Sequence, residues 1–372
     1  MSLSTRHRPR FMRAARGFIL PLTLWMVAIV GLLASIINVW VGRAVANSQA
    51  LTRRVEMELT QSDIRNELVY LLARRPTSYR GLEVGPTVTL VAGNDLIGLM
   101  SGPVDSGRAL RLDGRAYTVA EHPNLIIKVQ DASGLLNLNT MMPPNVRRTL
   151  AGLGLPETEV NRMTDTLLDY LDEDDLTRLA GAEKTQYDRL NLPPPANANL
   201  TTPYEAQRIL GWGQLDALWK SDMENPILTT CLGGALNLNT APVAALMANI
   251  AGLTREKAEQ AVARREERPF RGTREFGAAA DVLITDEPFL YSFNPGSCML
   301  VDVIDKLTGQ HTRFSLTLDR ISQLRPWRID YAIRIPSADR TALDQLKPEG
   351  PFPTPESVDL PADGDPAAAL RQ

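Results

Sequence analysis

Hydrophobic periodicity divides this chain into four stretches. The first, residues 18–41 (FILPLTLWMVAIVGLLASIINVWV), is 24 positions long and carries no charge. A helix rises 1.5 Å per residue, so a run of that length crosses a bilayer core of about 30 Å. The run then turns amphipathic rather than ending. Val55 and Leu59, then Ile64, Leu68 and Leu71, recur at spacings of three to four, with charged residues between them. Pro76 closes the pattern, and Pro21 falls in the first turn, where a missing N–H does least harm. One helix of about 60 residues is predicted, with a membrane part at 18–41 and a part at 42–76 beyond it.

The second stretch alternates with period two, at 87–91, 96–100, 110–112, 116–120 and 125–129, between clusters of Gly and Asp. From 137 to 290 helical periodicity takes over, broken by the prolines at 193–195. Alternation returns at 298–304, 313–318 and 331–335. The expected fold class is α+β. A long N-terminal helix joins an antiparallel sheet drawn from 77–136 and 296–335, interrupted by a large all-α insertion at 137–295. Residues 336–372 hold seven prolines and little apolar content, so this tail is expected to be disordered.

The insertion contains an internal repeat. Gly134-Leu-Leu-Asn-Leu-Asn-Thr140 returns as Gly234-Ala-Leu-Asn-Leu-Asn-Thr240, and Ala151-Gly-Leu153 as Ala251-Gly-Leu253, both at an offset of 100 residues. Asn-x-Asn-Thr stands where a helix should begin, since Asn and Thr cap orphan N–H groups. A helix, a glycine turn and a second helix follow in each copy. The second copy resembles the helix-hairpin-helix unit of DNA-binding competence proteins, whose turn offers backbone N–H groups to phosphate. Its second turn glycine is missing, however, and residues 134–183 hold four basic against nine acidic residues. Phosphate attraction needs the opposite sign. A membrane-anchored DNA-uptake protein is thus the rival reading, with no nucleic-acid partner as the expected outcome.

Charge sharpens the membrane reading. The whole chain of 372 residues has 40 Lys+Arg and 43 Asp+Glu, a net of −3, but five of the arginines lie in residues 1–17 with no acid among them. That leader orients the N-terminus to the cytoplasm and the bulk of the chain outside. The junction Arg16-Gly17-Phe18 resembles the leader of type IV pilins and pseudopilins. The resemblance implies cleavage by prepilin peptidase between Gly17 and Phe18 and methylation of Phe18. Residue five after that cut is Leu22 rather than the usual Glu.

Candidate chemistry is sparse. The histidines are His7, His122 and His311, and no metalloprotease, hydrolase-elbow or P-loop spacing occurs, so no enzyme is indicated. Cys231 and Cys298 would lie in an oxidising compartment and are a candidate disulfide. Asp169, Asp172, Glu173, Asp174 and Asp175 crowd the end of a predicted helix, where carboxylates repel one another and the helix dipole. Solvent, Arg178 or a hard cation must compensate, which makes these five residues candidate calcium ligands.

Leu-Leu-Asp169-Tyr-Leu-Asp172-x-Asp174-Asp175, then Gly181-Ala-Glu183, Tyr187, Pro-Pro-x-Ala-Asn197-x-x-Leu200, Glu205, Arg208 and Gly211 resemble the central signature of the type II secretion protein K family. Leu22, Leu-Asn-Leu-Asn-Thr and Trp327 fit the same family. The resemblance implies a pilin-like head with an inserted helical domain and a bound calcium. It implies an inner-membrane protein with a single span and a periplasmic body. It further implies a place at the tip of a short pseudopilus with minor pseudopilins I, J and H, served by the inner-membrane assembly platform and meeting the secretin or secreted substrates. Thr177 and Leu179-Ala180 depart from the family's usual spacing before Gly181.

Overall fold

The computed structural model describes residues 19–85, 108–231, 233, 235–284, 288–319, 326–336 and 340–353. The strands expected at 87–91 and 96–100, and the processing site at Gly17 and Phe18, lie outside the described residues. The chain divides into two compact units, residues 1–65 and 66–372.

Helix α1 (Ile19–Arg74) is unbroken, and Leu20–Thr52 is long and apolar enough to cross a membrane. Its apolar side chains lie uncovered by protein: Trp25 is 70% exposed and Trp40 71%. A surface of that kind is favourable in lipid and costly in water. The hydroxyls of Thr23 and Ser35 donate to the carbonyls of Leu20 and Gly31, so neither polar group is left unmet in the span. Two residues past its end stands Pro76, which cannot continue the ladder.

In the second unit Leu68, Val69, Leu71 and Leu72 are buried. Short strands β1 (Thr77–Ser78), β2 (Gly81–Glu83) and β3 (Ala109–Leu110) form a small antiparallel sheet. The main sheet begins with β4 (Asp113–Val119) and β5 (His122–Asp131), which overrun the expected 116–120 and 125–129. The insertion then opens with β6 (Leu136–Asn137), α2 (Pro143–Gly152), α3 (Glu157–Leu171), α4 (Lys184–Arg189), α5 (Asp216–Glu224) and β7 (Leu228–Thr229). It continues with β8 (Leu236–Asn237), α6 (Val243–Asn249), α7 (Arg255–Glu267), α8 (Thr273–Ala280) and β9 (Tyr291–Ser292). The sheet resumes with β10 (Cys298–Asp305), β11 (His311–Leu318) and β12 (Trp327–Ile335), and α9 (Arg340–Gln345) follows.

The main sheet is wholly antiparallel, in the order β12-β11-β10-β5-β4. Because β5 and β10 are neighbours, with Met299 opposite Asp131, the insertion leaves and re-enters at one corner. It therefore interrupts the sequence of the sheet without interrupting its ladder.

Two expectations need correction. The tail from 336 on is structured through 353: Leu343 and Phe352 are buried, and 349–352 run along β4, with Thr118 N donating to Gly350 O at 2.9 Å and Phe352 N to Thr118 O at 2.6 Å. Composition misled because a segment too poor in apolar residues to fold alone gains order by docking on an existing edge. Nor does Asn-x-Asn-Thr cap the first helix of either hairpin. The caps are Met142 and Pro242, without side-chain bonds. The asparagines instead clamp strands, as described next.

A candidate cation site in the first repeat

The two repeats share one local design. β6 pairs in parallel with β7, and β8 with β9. Asn137 and Asn237 each accept from the N–H two residues on, both at 3.0 Å, which tightens the turn. The next asparagine reaches across the fold. Asn139 accepts from Leu200 N at 2.8 Å and donates to Leu200 O at 3.0 Å, and Asn239 does the same with Phe270 at 2.8 Å each way. α2 and α6 then pack together, with Asn145 donating to Asn249 Oδ1 at 2.8 Å and Arg148 Nε to Ala248 O at 2.7 Å. The hairpin turns bend at Gly154 (φ +81°) and Gly252 (φ +75°), in the left-handed region that glycine adopts without strain.

Buried charges fasten the insertion to the sheet. Arg313, fully buried, donates to both oxygens of Asp302 (2.7 and 3.0 Å), to Tyr204 Oη (2.8 Å) and to Asp222 O (2.7 Å). Burial pushes the Asp302 carboxyl up, but Arg313 and His311 outweigh it and hold the group well below the usual carboxylate range. Asp131, at the corner where the insertion departs, accepts from Ser133, Asn237, Thr240 and Gly296, yet burial leaves it above its ordinary value. Cys231 and Cys298 form a disulfide at this corner. Beside them a cleft of about 630 Å³ opens along the seam of the repeats.

The acidic run begins in the last turn of α3 and continues into the loop before α4. Asp169 is fully buried; its Oδ1 accepts from Arg178 Nη1 at 2.6 Å and its Oδ2 from Arg178 N at 3.1 Å. Gly181 is required here, since a Cβ at that position would sit 1.9 Å from Asp169 Oδ2. Asp172 Oδ2 accepts from the same Arg178 Nη1 at 2.5 Å. Asp174 caps Leu176 N, Asp175 accepts from Asn197 Nδ2 at 3.2 Å, and Glu173 is exposed. The run thus does not close on one point as a five-acid cage. Among the described residues no three His, Cys, Asp or Glu side chains gather as a metal cluster by themselves.

Two residues outside the run complete the picture. Glu183, 3% exposed, precedes α4 and has its N–H bonded to Gln186 Oε1 at 3.0 Å. Neither of its carboxylate oxygens accepts a hydrogen bond. Asp172 Oδ1 and Asn197 Oδ1 are also buried and unmet. These four oxygens are half of the eight unmet buried side-chain atoms among the described residues, all on one pair of loops. A buried acceptor without a partner costs about 1–3 kcal/mol, so this concentration is unfavourable unless something binds it. Electrostatics agrees: burial, then Asp169, Asp172, Asp175 and Asp174, push Glu183 up to about 7. Oxygen donors of this type fit a hard divalent cation.

An apolar membrane-length helix, an antiparallel sheet and two hairpin repeats inserted at one corner define an anchored α+β protein built to dock rather than to react. Residues 132–217 match a family model of type II secretion system (T2SS) protein K, and residues 236–285 match a second model of the same description. The matches begin directly after β5 and take one repeat each. By these two domains the chain belongs to the type II secretion system protein K family. No curated protein matches the sequence. Among solved structures the chain is similar to one in the crystal structure of the GspK-GspI-GspJ complex from the enterotoxigenic Escherichia coli type 2 secretion system. Identity is 15% and the TM-score 0.48, covering 78% of this chain and 98% of that one.

Proposed function

We propose that this chain is a minor pseudopilin at the tip of the type II secretion pseudopilus, with a non-enzymatic role. It initiates pseudopilus assembly and supports export of folded periplasmic proteins across the outer membrane. The observation that carries this reading is the pair of protein K domains filling the insertion of a chain whose N-terminal helix is of membrane length. In this reading minor pseudopilins I and J are its direct partners, with H beside them, on the inner-membrane assembly platform. Prepilin peptidase cuts after Gly17 and Phe18 becomes the methylated N-terminus. Leu22 suits a tip subunit, which has no neighbour above whose terminal amine needs a carboxylate. The acidic loop of the first repeat holds calcium, for which its unmet buried oxygens are the support.

Co-expression with I and J tests the assignment. The full chain extracted from membranes is expected to co-purify with both, and its N-terminal sequence to begin at Phe18. Folded I and J that pair with each other but leave this chain behind would overturn the tip role.

A further inference from the structure

The calcium reading names a loop; the geometry points further. We propose that Asp172, Glu183 and Asn197 supply the protein oxygens for a single divalent cation, and that Arg178 is an internal competitor whose guanidinium neutralises the loop when the ion is absent. This rests on the reading of the loop as a cation site.

Three observations carry it. First, the unmet buried oxygens belong to these three residues: Asp172 Oδ1, both oxygens of Glu183, and Asn197 Oδ1. Glu183 and Asn197 come from beyond the acidic run, on the far side of Arg178 in sequence. Asn197 is tied back to the run by donating to Asp174 O at 2.9 Å and Asp175 Oδ1 at 3.2 Å. Its amide nitrogen is therefore committed, and its oxygen is the atom left to face a cation.

Second, Arg178 is used as a point charge. A single nitrogen, Nη1, reaches both Asp169 Oδ1 and Asp172 Oδ2. The two-pronged pairing that makes an arginine–carboxylate bridge strong is not formed. A compact divalent ion delivers more charge to the same oxygens, and calcium completes its six to eight ligands with water.

Third, Arg178 can leave. Its side chain is 38% exposed, whereas Asp169 stays fixed by the Arg178 main-chain N–H at 3.1 Å whether or not the guanidinium remains. Leu176 and Leu179, on either side, are 76% and fully exposed, so no packing holds the guanidinium in place.

Calorimetric titration of the full detergent-solubilised chain with Ca²⁺, after chelation, tests this. Arg178→Gln removes the competitor and is expected to bind Ca²⁺ about tenfold tighter than the natural chain. Arg178→Lys keeps a rival charge and should fall between the two, which also guards against a folding defect in the first variant. Glu183→Gln should weaken binding about tenfold or more, and Arg255→Gln, in the second repeat, should change nothing. If the natural chain binds Ca²⁺ and Arg178→Gln binds no tighter, the competitor role is wrong while the cation site stands. If neither the natural chain nor Arg178→Gln binds Ca²⁺, the cation site falls and the competitor with it.

Discussion

The two hairpin repeats open alike and close with opposite charge. Each starts on Leu-Asn-Leu-Asn-Thr, lays a two-residue strand beside a parallel partner, and uses its second asparagine as a clamp. In the second repeat α7 ends on Arg264 and Arg265, cations at the negative end of the helix dipole. Arg265 turns back to donate to Leu238 O and Ala241 O at 3.0 and 2.6 Å, and burial brings it down to about 10. In the first repeat α3 runs into Asp169 and Asp172, the wrong sign for that end. The second repeat carries its own cation; the first borrows Arg178 from the following loop and still leaves four oxygens unmet. What the copies share therefore serves packing, and where they part marks the place at which charge must be brought in.

The shared part can be broken most severely. Asn239 is buried and serves Phe270 N, Phe270 O and Phe293 O, so Asn239→Ala leaves three buried groups unmet and should cost about 3 kcal/mol. Asn139, less buried, makes the matching bonds to Leu200 and Thr230, and Asn139→Ala should cost about 2 kcal/mol. Urea unfolding of the full chain in detergent compares them. A loss below about 0.5 kcal/mol for either would show that the clamp is not what holds its repeat.

The unshared part responds to ions. At Ca²⁺ a hundredfold above its dissociation constant, binding to the folded chain should add about 2.7 kcal/mol of stability. Asp172→Asn should reduce that gain, and Arg265→Met in the second repeat should leave it intact. Melting temperature with and without chelator reads both. An equal loss of the calcium response in the two variants would erase the distinction between the repeats.

A smaller effect follows from Glu183. Its folded value of about 7 lies above its ordinary 4.5, so the unfolded chain releases this proton first as pH rises. The contribution to stability is full below about pH 4.5 and is lost by about pH 7. In chelator, Glu183→Gln should flatten that part of the stability profile; an unchanged slope would mean another group is responsible. Smallest of all, Leu179→Ser on the fully exposed loop tip should stay within about 0.5 kcal/mol.

Period and repeat were the legible parts of the fold. The 24 uncharged residues led to α1, and alternation at 298–304 and 313–318 to β10 and β11, because burial on one face writes itself into sequence. The roles of Asn139 and Asn239 were not legible. An asparagine before a helix reads as a cap, while the strands it clamps lie 31 to 91 residues away. The acidic run drew attention to Asp169 and Asp172, but Glu183 and Asn197 reach the site only through the path of the loops. Arg313, Asp302 and Asp222 were invisible for a related reason. A single charged residue in an apolar strand looks alike whether its partner is water or a buried ion.

The claim on which the account turns is that the first repeat needs a cation and the second does not. Hydrogen exchange on the full chain, in Ca²⁺ and in chelator, measures it directly. Ca²⁺ is expected to slow exchange from the end of α3 through Leu200 and to leave α6 and α7 unchanged. Equal protection of both repeats, or of neither, would contradict it.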